Sequence, residues 1–259
     1  MKLEPRSSTA WRDRLQASAI HLTISLAIAA LAGALVFGVW YPYPYREISG
    51  GRQLFLLLVA VDVVLGPLMT LAVFNRIKPW PVLRRDLIVI AMLQLAALGY
   101  GLWTVFVARP VHMVFEYDRL SVVHAMDIAP ESMVKTPSGI VARPLTGPTL
   151  LSLRPFLSET EKVELTMAAI GGVGLSSRPQ LWQPYTKAQA EILKEAKSVS
   201  ILKTRFANRA SEIDRVITDA GGNPQTVLYL PLVSRDHFWT VFLDPVDAHI
   251  VASMPLDPF

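Results

Sequence analysis

The chain contains no cysteine, which removes disulfides, cysteine-ligated zinc and thiol nucleophiles together. Charge is scarce as well. Only 18% of the 259 residues are Asp, Glu, Lys or Arg, against about 25% in an average soluble domain. No basic run of nucleic-acid type occurs, and the formal net charge is a modest +4, so nucleic acid is not an expected partner. The five histidines, His21, His112, His124, His237 and His249, show no H-E-x-x-H or other metal-ligand spacing. His112 and His124 fall in neighbouring strand candidates, where paired histidines are ordinarily surface residues. The run Gly171-Gly172-Val173-Gly174 lacks the lysine of a phosphate loop, and no G-x-S-x-G elbow occurs. Asp244 and Asp247 lie in FLDPVDA, a turn composition that accounts for both acids. The expectation is a protein that is not an enzyme and carries no cofactor or metal.

Long apolar runs are what the chain has in abundance. Hydrophobic residues make up 52% of it, and mean hydropathy is +0.37. The apolarity is concentrated in three runs, about residues 20–40, 54–74 and 87–107. Each is about twenty residues, enough to cross a hydrocarbon core about 30 Å thick. Trp40, Tyr41 and Tyr43 close the first run as an aromatic belt closes a span, rather than as a signal-peptide cleavage site. The N-terminal tail carries Lys2, Arg6, Arg12 and Arg14, and the second loop carries Arg76, Lys78, Arg84 and Arg85. The first loop carries only Arg46 and Arg52. This asymmetry puts the N-terminus and second loop in the cytoplasm, with Arg84 and Arg85 as interface anchors. Residues 1–19 then form a cytoplasmic basic tail, 20–107 a three-helix transmembrane bundle, and 108–259 a periplasmic domain of a bacterial inner-membrane protein.

That last segment reads as α+β. VHMVFEY and LSVVHAM near its start, and TVLYLPLV, HFWTVFLD and HIVASMPL near its end, are strand candidates. Between them, Ser158 followed by Glu161 is a capping box opening a helix that stops at Gly171-Gly172. TKAQAEILKEAK, capped by Thr186, and ANRASEIDRVITDAGG, ending at Gly221, read as two more helices, and residues 130–155 as loop with one short helix.

The most informative stretch is VAVDVVLGPLMTL, Val59 to Leu71. Asp62, Gly66, Met69 and Val73 fall on one helical face. Gly66 permits close approach of a neighbouring helix. Pro67 cannot donate to the carbonyl of Val63, which predicts a free acceptor and a kink. Gln94, Ala97, Gly101 and Thr104 line one face of the third run, and Ser25, Ala29 and Ala32, with Gly33 beside them, one face of the first. Counting along the helices puts Asp62 roughly 13 Å from one end of its span and about 18 Å from the other. It then lies level with Gly33 and Gly99-Tyr100, with no Lys, Arg or His at that depth. A charged Asp there costs roughly 2.5–3.5 kcal/mol on insertion scales. Two readings follow: a structural hydrogen bond within the bundle, for which Tyr100 is a candidate, or a partner supplied by another chain. Proton conduction ranks third, since no chain of ionisable groups continues from Asp62.

Taken together, HLTISLAIAALAGALVFGVWYPYP, LLLVAVDVVLGPLMTLAVFN and RRDLIVIAMLQLAALGYGLWTVFVARPVHMVFEYDRLSVVHA resemble the type IV pilin accessory proteins of the TfpX/TfpZ type. The resemblance covers residues 20–125 most closely. It implies an accessory, chaperone-like factor that assists pilin before or during pilus assembly, with Asp62, Gly66, Pro67, Arg85, Asp86, Gln94 and Ala108-Arg109-Pro110 at the family's motif positions. The expected partners are the pilin's transmembrane helix, its head domain and the bilayer; oligomeric state stays open. The partner-helix contact is expected at Asp62, Gly66, Pro67, Met69, Gln94, Ala97 and Gly101. The alternative is a membrane-anchored periplasmic sensor or ligand-binding module, which the short cytoplasmic segments equip poorly for output.

Overall fold

The computed structural model describes residues 6–235 and 237–259, without the side chains of residues 6–10. Lys2 and Arg6 of the expected basic tail, and Asp236, therefore lie outside what is described, Arg6 by its side chain alone. The chain divides into two compact units. One comprises the residues up to Val39 together with Gly50–Val107; the other joins Trp40–Ser49 to Ala108–Phe259.

The first unit is three helices long and apolar enough to cross a membrane, Trp11–Trp40, Gly51–Val73 and Trp80–Val107. Helix α1 (Arg6–Leu35) runs on through a π turn at Val36–Trp40. The second span is assembled from α3 (Gly51–Ala60), a π turn at Val61–Leu65, and α4 (Gly66–Val73), following a short α2 (Tyr45–Ile48) in the connecting segment. The third is α5 (Trp80–Val107). The helices start earlier than the apolar runs, and Pro81 sits in the first turn of α5, where its missing donor costs nothing. Their outer surfaces are apolar: Leu31, Leu57 and Met92 are 74%, 68% and 65% exposed. Such inside-out burial suits lipid as the surrounding medium, and the chain is a membrane protein with a separate helix-and-sheet domain.

α1 and α5 both pack on the second span. Gly33 of α1 receives the Phe55 ring, which also meets Phe37 edge-on at 4.9 Å. Ser25 and Ala32 of the predicted small-residue face are buried.

The second unit is built on one sheet. Its strands are β1 (Pro110–Glu116), β2 (Arg119–His124), β3 (Thr149–Leu153), β4 (Trp182–Pro184), β5 (Lys197–Ser198), β6 (Leu228–Ser234), β7 (His237–Leu243) and β8 (Ile250–Met254). The order is β4-β3-β1-β2-β6-β7-β8, with β5 also pairing β6; β1–β3 and β2–β6 are parallel and the other pairs antiparallel. Strand alternation sends Leu230, Leu232, Val241 and Leu243 to one face and Tyr229 and Phe242 to the other. The first face is covered by α2 and by α7 (Gln189–Glu195) with the turn before it, through Tyr45, Ile48, Tyr185 and Ile192. The second is covered in part by α8 (Val199–Arg205) and α9 (Ala210–Asp219), through Leu202, Ile213 and Ile217. Elsewhere Val111, Val123, Ile128, Leu151 and Trp182 form a third cluster. Helix α6 (Glu159–Ile170) buries none of its residues; Ser158 caps it by accepting from Glu161 N at 3.1 Å. The other half of the expected box is absent, because the Glu161 carboxylate goes to Arg154 Nη2 at 2.7 Å and Leu157 N.

The five expected strands are present. β3, β4, β5 and α8 were not anticipated, and the cap expected at Thr186 lies inside a 3-10 turn, Tyr185–Ala188, rather than at a helix start. α9 ends two residues before Gly221, which takes φ +82°, a conformation glycine adopts without strain. The segment between the first two spans was expected to be a plain loop, yet it supplies core. Ile48 is 1% exposed, and Ser49 Oγ lies 3.3 Å from Ser234 Oγ.

Candidate functional site: a buried carboxylate between two intramembrane grooves

Pro67 has no N–H for the Val63 carbonyl. The backbone answers with the π turn at Val61–Leu65, whose hydrogen bonds reach five residues instead of four. Where a kink was expected, the helix widens, and Asp62 sits inside the widened turn.

Asp62 is 8% exposed, and its Oδ1 is buried without a hydrogen-bond partner. An unpaired polar oxygen in an apolar medium is costly, so this atom is the anomaly of the unit. The Tyr100 hydroxyl does not satisfy it, for Tyr100 points outward at 70% exposure.

Two grooves meet at Asp62. One, about 260 Å³, runs between the second span and α5, bordered by Leu54, Leu57, Val61, Ala97, Tyr100 and Thr104. It is apolar apart from Asp62, the outward Tyr100, and Thr104, whose hydroxyl donates to the Tyr100 carbonyl at 2.9 Å. The other, about 170 Å³, is bordered by α1 and α5 and gathers His21, Ser25, Asp62 and Gln94. Its neighbours continue the polar string: His21 Nδ1 and Thr70 Oγ1 share a hydrogen bond of 2.6 Å, and Ser18 Oγ donates to the Pro67 carbonyl at 2.9 Å.

These pairs correct the expected depth. Gly33 meets Phe55 and Ser18 meets Pro67, so the level of Asp62 on α1 falls near Ser25, not Gly33. The first span runs past its neighbour at the loop end, which displaced the count. A histidine therefore does share the cavity of Asp62, contrary to expectation. Sequence reasoning missed His21 and Thr70 and read Ser25 only as part of a packing face; the available signal was the spacing of four from His21 to Ser25, and along Asp62, Gly66 and Thr70.

The proposed contact residues divide in two. Gly66 and Gly101 are filled from within: Gln94 packs on Gly66, donating from Nε2 to the Asp62 carbonyl at 3.1 Å, and Leu58 packs on Gly101. Pro67 is buried and Met69 half-buried. Gly66 and Gly101 thus serve packing inside the unit, and Asp62, Ala97 and Gly101 border the larger groove.

Among the interface anchors, Arg84 and Arg85 are exposed in the first turns of α5, and Tyr43 is 56% exposed. Trp40 is half-buried. Tyr41 is a correction: it is fully buried in the second unit. Burial pushes its hydroxyl pKa upward, with Arg235 and Arg109 opposing. Arg109 itself is buried and donates to the Pro144 carbonyl at 3.0 Å, which gives the Ala108-Arg109-Pro110 position a structural role.

In the second unit His124 Nε2, Arg143 Nε, Arg178 Nε and Gln180 Oε1 are buried without a partner, whereas His112 is bonded at both ring nitrogens. His112 is fully buried, sharing hydrogen bonds with Thr149 Oγ1 at 2.7 Å and the Ala142 carbonyl at 2.9 Å. Burial pushes its pKa down to about 4, against the Ala142 bond. The register pairs it with Val123, while His124 bonds Asp127. Asp244, Asp247 and His249 bring their ligand atoms within 4.8 Å of one another. Their bonds to the Val246 and His249 amides organise an exposed turn.

A family model described as "Fimbrial assembly protein FimB" matches residues 9–50. The fimbrial assembly protein of serogroup I from Dichelobacter nodosus is 34% identical over 245 residues, covering 93% of this chain and 95% of that one. Its serogroup E1 counterpart is 32% identical over 244 residues, with the same coverage. The protein of serogroups C1 and C2 is 41% identical over 111 residues, 43% of this chain and 85% of that one. No solved structure matches. With about a third of residues identical over nearly the full length of both chains, this protein belongs to the fimbrial assembly protein family.

Proposed function

We propose that this chain is a non-enzymatic accessory factor of type IV pilus biogenesis, of the TfpX/TfpZ kind, that holds pilin in the bacterial inner membrane. Its membership of the fimbrial assembly family supports the role in pilus biogenesis. The observation that carries the pilin-holding step is the apolar groove between the second span and α5, with the unpaired Asp62 oxygen at its side. In this reading the pilin's single apolar helix lies along Leu57, Val61, Ala97 and Tyr100. The distribution of Lys and Arg supports a cytoplasmic N-terminus, so that the second unit faces the periplasm and meets the pilin head. A shielded subunit escapes degradation and aggregation before incorporation, which is a chaperone's contribution.

Deletion of the gene, with surface pili and cellular pilin measured together, tests this. The expected result is loss of pili accompanied by reduced or mislocalised pilin. Normal values of both would refute it.

A further inference from the structure

We infer that Asp62 reads a single hydrogen-bond donor in the partner's transmembrane helix, so that the groove selects both its occupant and its register by one polar contact. This inference rests on the pilin-holding reading above.

The walls of the larger groove are aliphatic and aromatic, and they attract any apolar helix about equally, because lipid tails solvate such a helix equally well. Shape alone then gives weak selectivity. One residue bordering the groove departs from this: Asp62, more than nine-tenths buried, whose carboxylate Oδ1 is buried without a partner. No neighbouring donor bonds Oδ1. The Gln94 amide donates to the Asp62 backbone carbonyl, the Thr104 hydroxyl to the Tyr100 carbonyl, and His21 bonds Thr70 through Nδ1.

The surrounding turn holds this acceptor in place. Pro67 and the π turn fix the backbone, and Gln94 clamps the Asp62 carbonyl against α5. A partner helix carrying a hydroxyl, amide or amine at this depth satisfies the carboxylate once its side chain turns toward the groove. A helix that is apolar throughout leaves it as unsatisfied as before and gains nothing from it. Sliding the partner by one turn moves its donor by about 5.4 Å, out of hydrogen-bond range, so the same contact fixes depth. The chemistry sought is therefore a transmembrane segment with one inward donor, not a lipid or a soluble ligand.

The full-length protein, tagged and extracted in mild detergent from cells making their pilin, provides the test. Co-purified pilin is measured for wild type, Asp62→Asn and Asp62→Leu. Asn keeps an acceptor oxygen and should retain most of the pilin; Leu should lower the yield roughly fivefold or more, the size of one intramembrane hydrogen bond. In parallel, each hydroxyl, amide or amine side chain in the pilin span is changed singly to Ala, and one such change should reproduce the loss. Wild-type yield from Asp62→Leu, or a pilin scan in which no donor matters, overturns the inference while leaving pilin holding intact. No pilin on the wild-type protein overturns the pilin-holding reading itself, and this inference with it.

Discussion

The Gln94 amide occupies the space that a Cβ at Gly66 would need: a methyl there comes within 1.9 Å of Gln94 Nε2, the atom that donates to the Asp62 carbonyl at 3.1 Å. Glycine, glutamine and aspartate are thus one device. The glycine lets the amide in, and the amide holds the turn that presents the acid.

Gly66→Ala is expected to displace the end of the Gln94 side chain and destabilise the first unit by about 0.5–1.5 kcal/mol, the size of the hydrogen bond to the Asp62 carbonyl that is lost. Adding Gln94→Ala should then cost less than it does alone, because the same bond is already lost. Detergent-titrated unfolding of the single and double variants measures the coupling. Strictly additive losses would contradict the arrangement.

Asp62→Leu should not destabilise the isolated protein. Removing an unpaired buried acceptor relieves a cost of about 1–3 kcal/mol, while piliation should fall. Thermal unfolding of purified protein beside a count of surface pili checks this. A large drop in stability would return Asp62 to the role of a structural hydrogen-bonding group.

Much of the membrane unit was legible in sequence because a span must be long and apolar, and length is easily read. The small-residue faces were legible too, as faces, since helical periodicity fixes which residues align. What they face was not. Gly66 and Gly101 look the same in sequence whether a partner helix or an internal side chain fills them, and here Gln94 and Leu58 do. The depth of Asp62 also failed, because register between helices is set by contacts such as Gly33 with Phe55, not by counting from assumed ends. In the second unit the short strands β3, β4 and β5 escaped notice; two to five residues carry too little alternation to register. Burial of Tyr41, Tyr45 and Ile48 was hidden by their place between two spans, where aromatics ordinarily signal the membrane surface.

Ile48→Ala tests that last point. It lies between the spans in sequence but belongs to the core of the second unit with Tyr45. A loss of about 2–5 kcal/mol is expected in the unfolding of the second unit, read by near-ultraviolet circular dichroism. By the same logic, a fragment of residues 108–259 alone should be less stable than one supplied with residues 40–49. Equal stability of the two fragments would contradict the shared core.

His112 makes the second unit acid-sensitive. Its folded pKa, about 4, lies below the ordinary value of 6.5 because burial disfavours the charged ring. The unfolded chain therefore binds the proton more tightly, and stability rises with pH across this window. The contribution is complete above about pH 6.5 and is lost progressively as pH falls toward 4; a shift of this size is worth about 3 kcal/mol. His112→Gln should be less stable at pH 7 but should lose less between pH 7 and 4. Parallel unfolding curves for variant and wild type over that range would rule out this role.

The most direct measurement of pilin holding is photo-crosslinking in living cells. A photoreactive residue at Leu57 or Tyr100, on the open groove, should give an adduct with pilin. The same residue at Met92, exposed on α5 but not among the residues bordering either groove, should give little or none. Absence of a pilin adduct at Leu57 and Tyr100, or equal adducts at all three positions, would contradict the account.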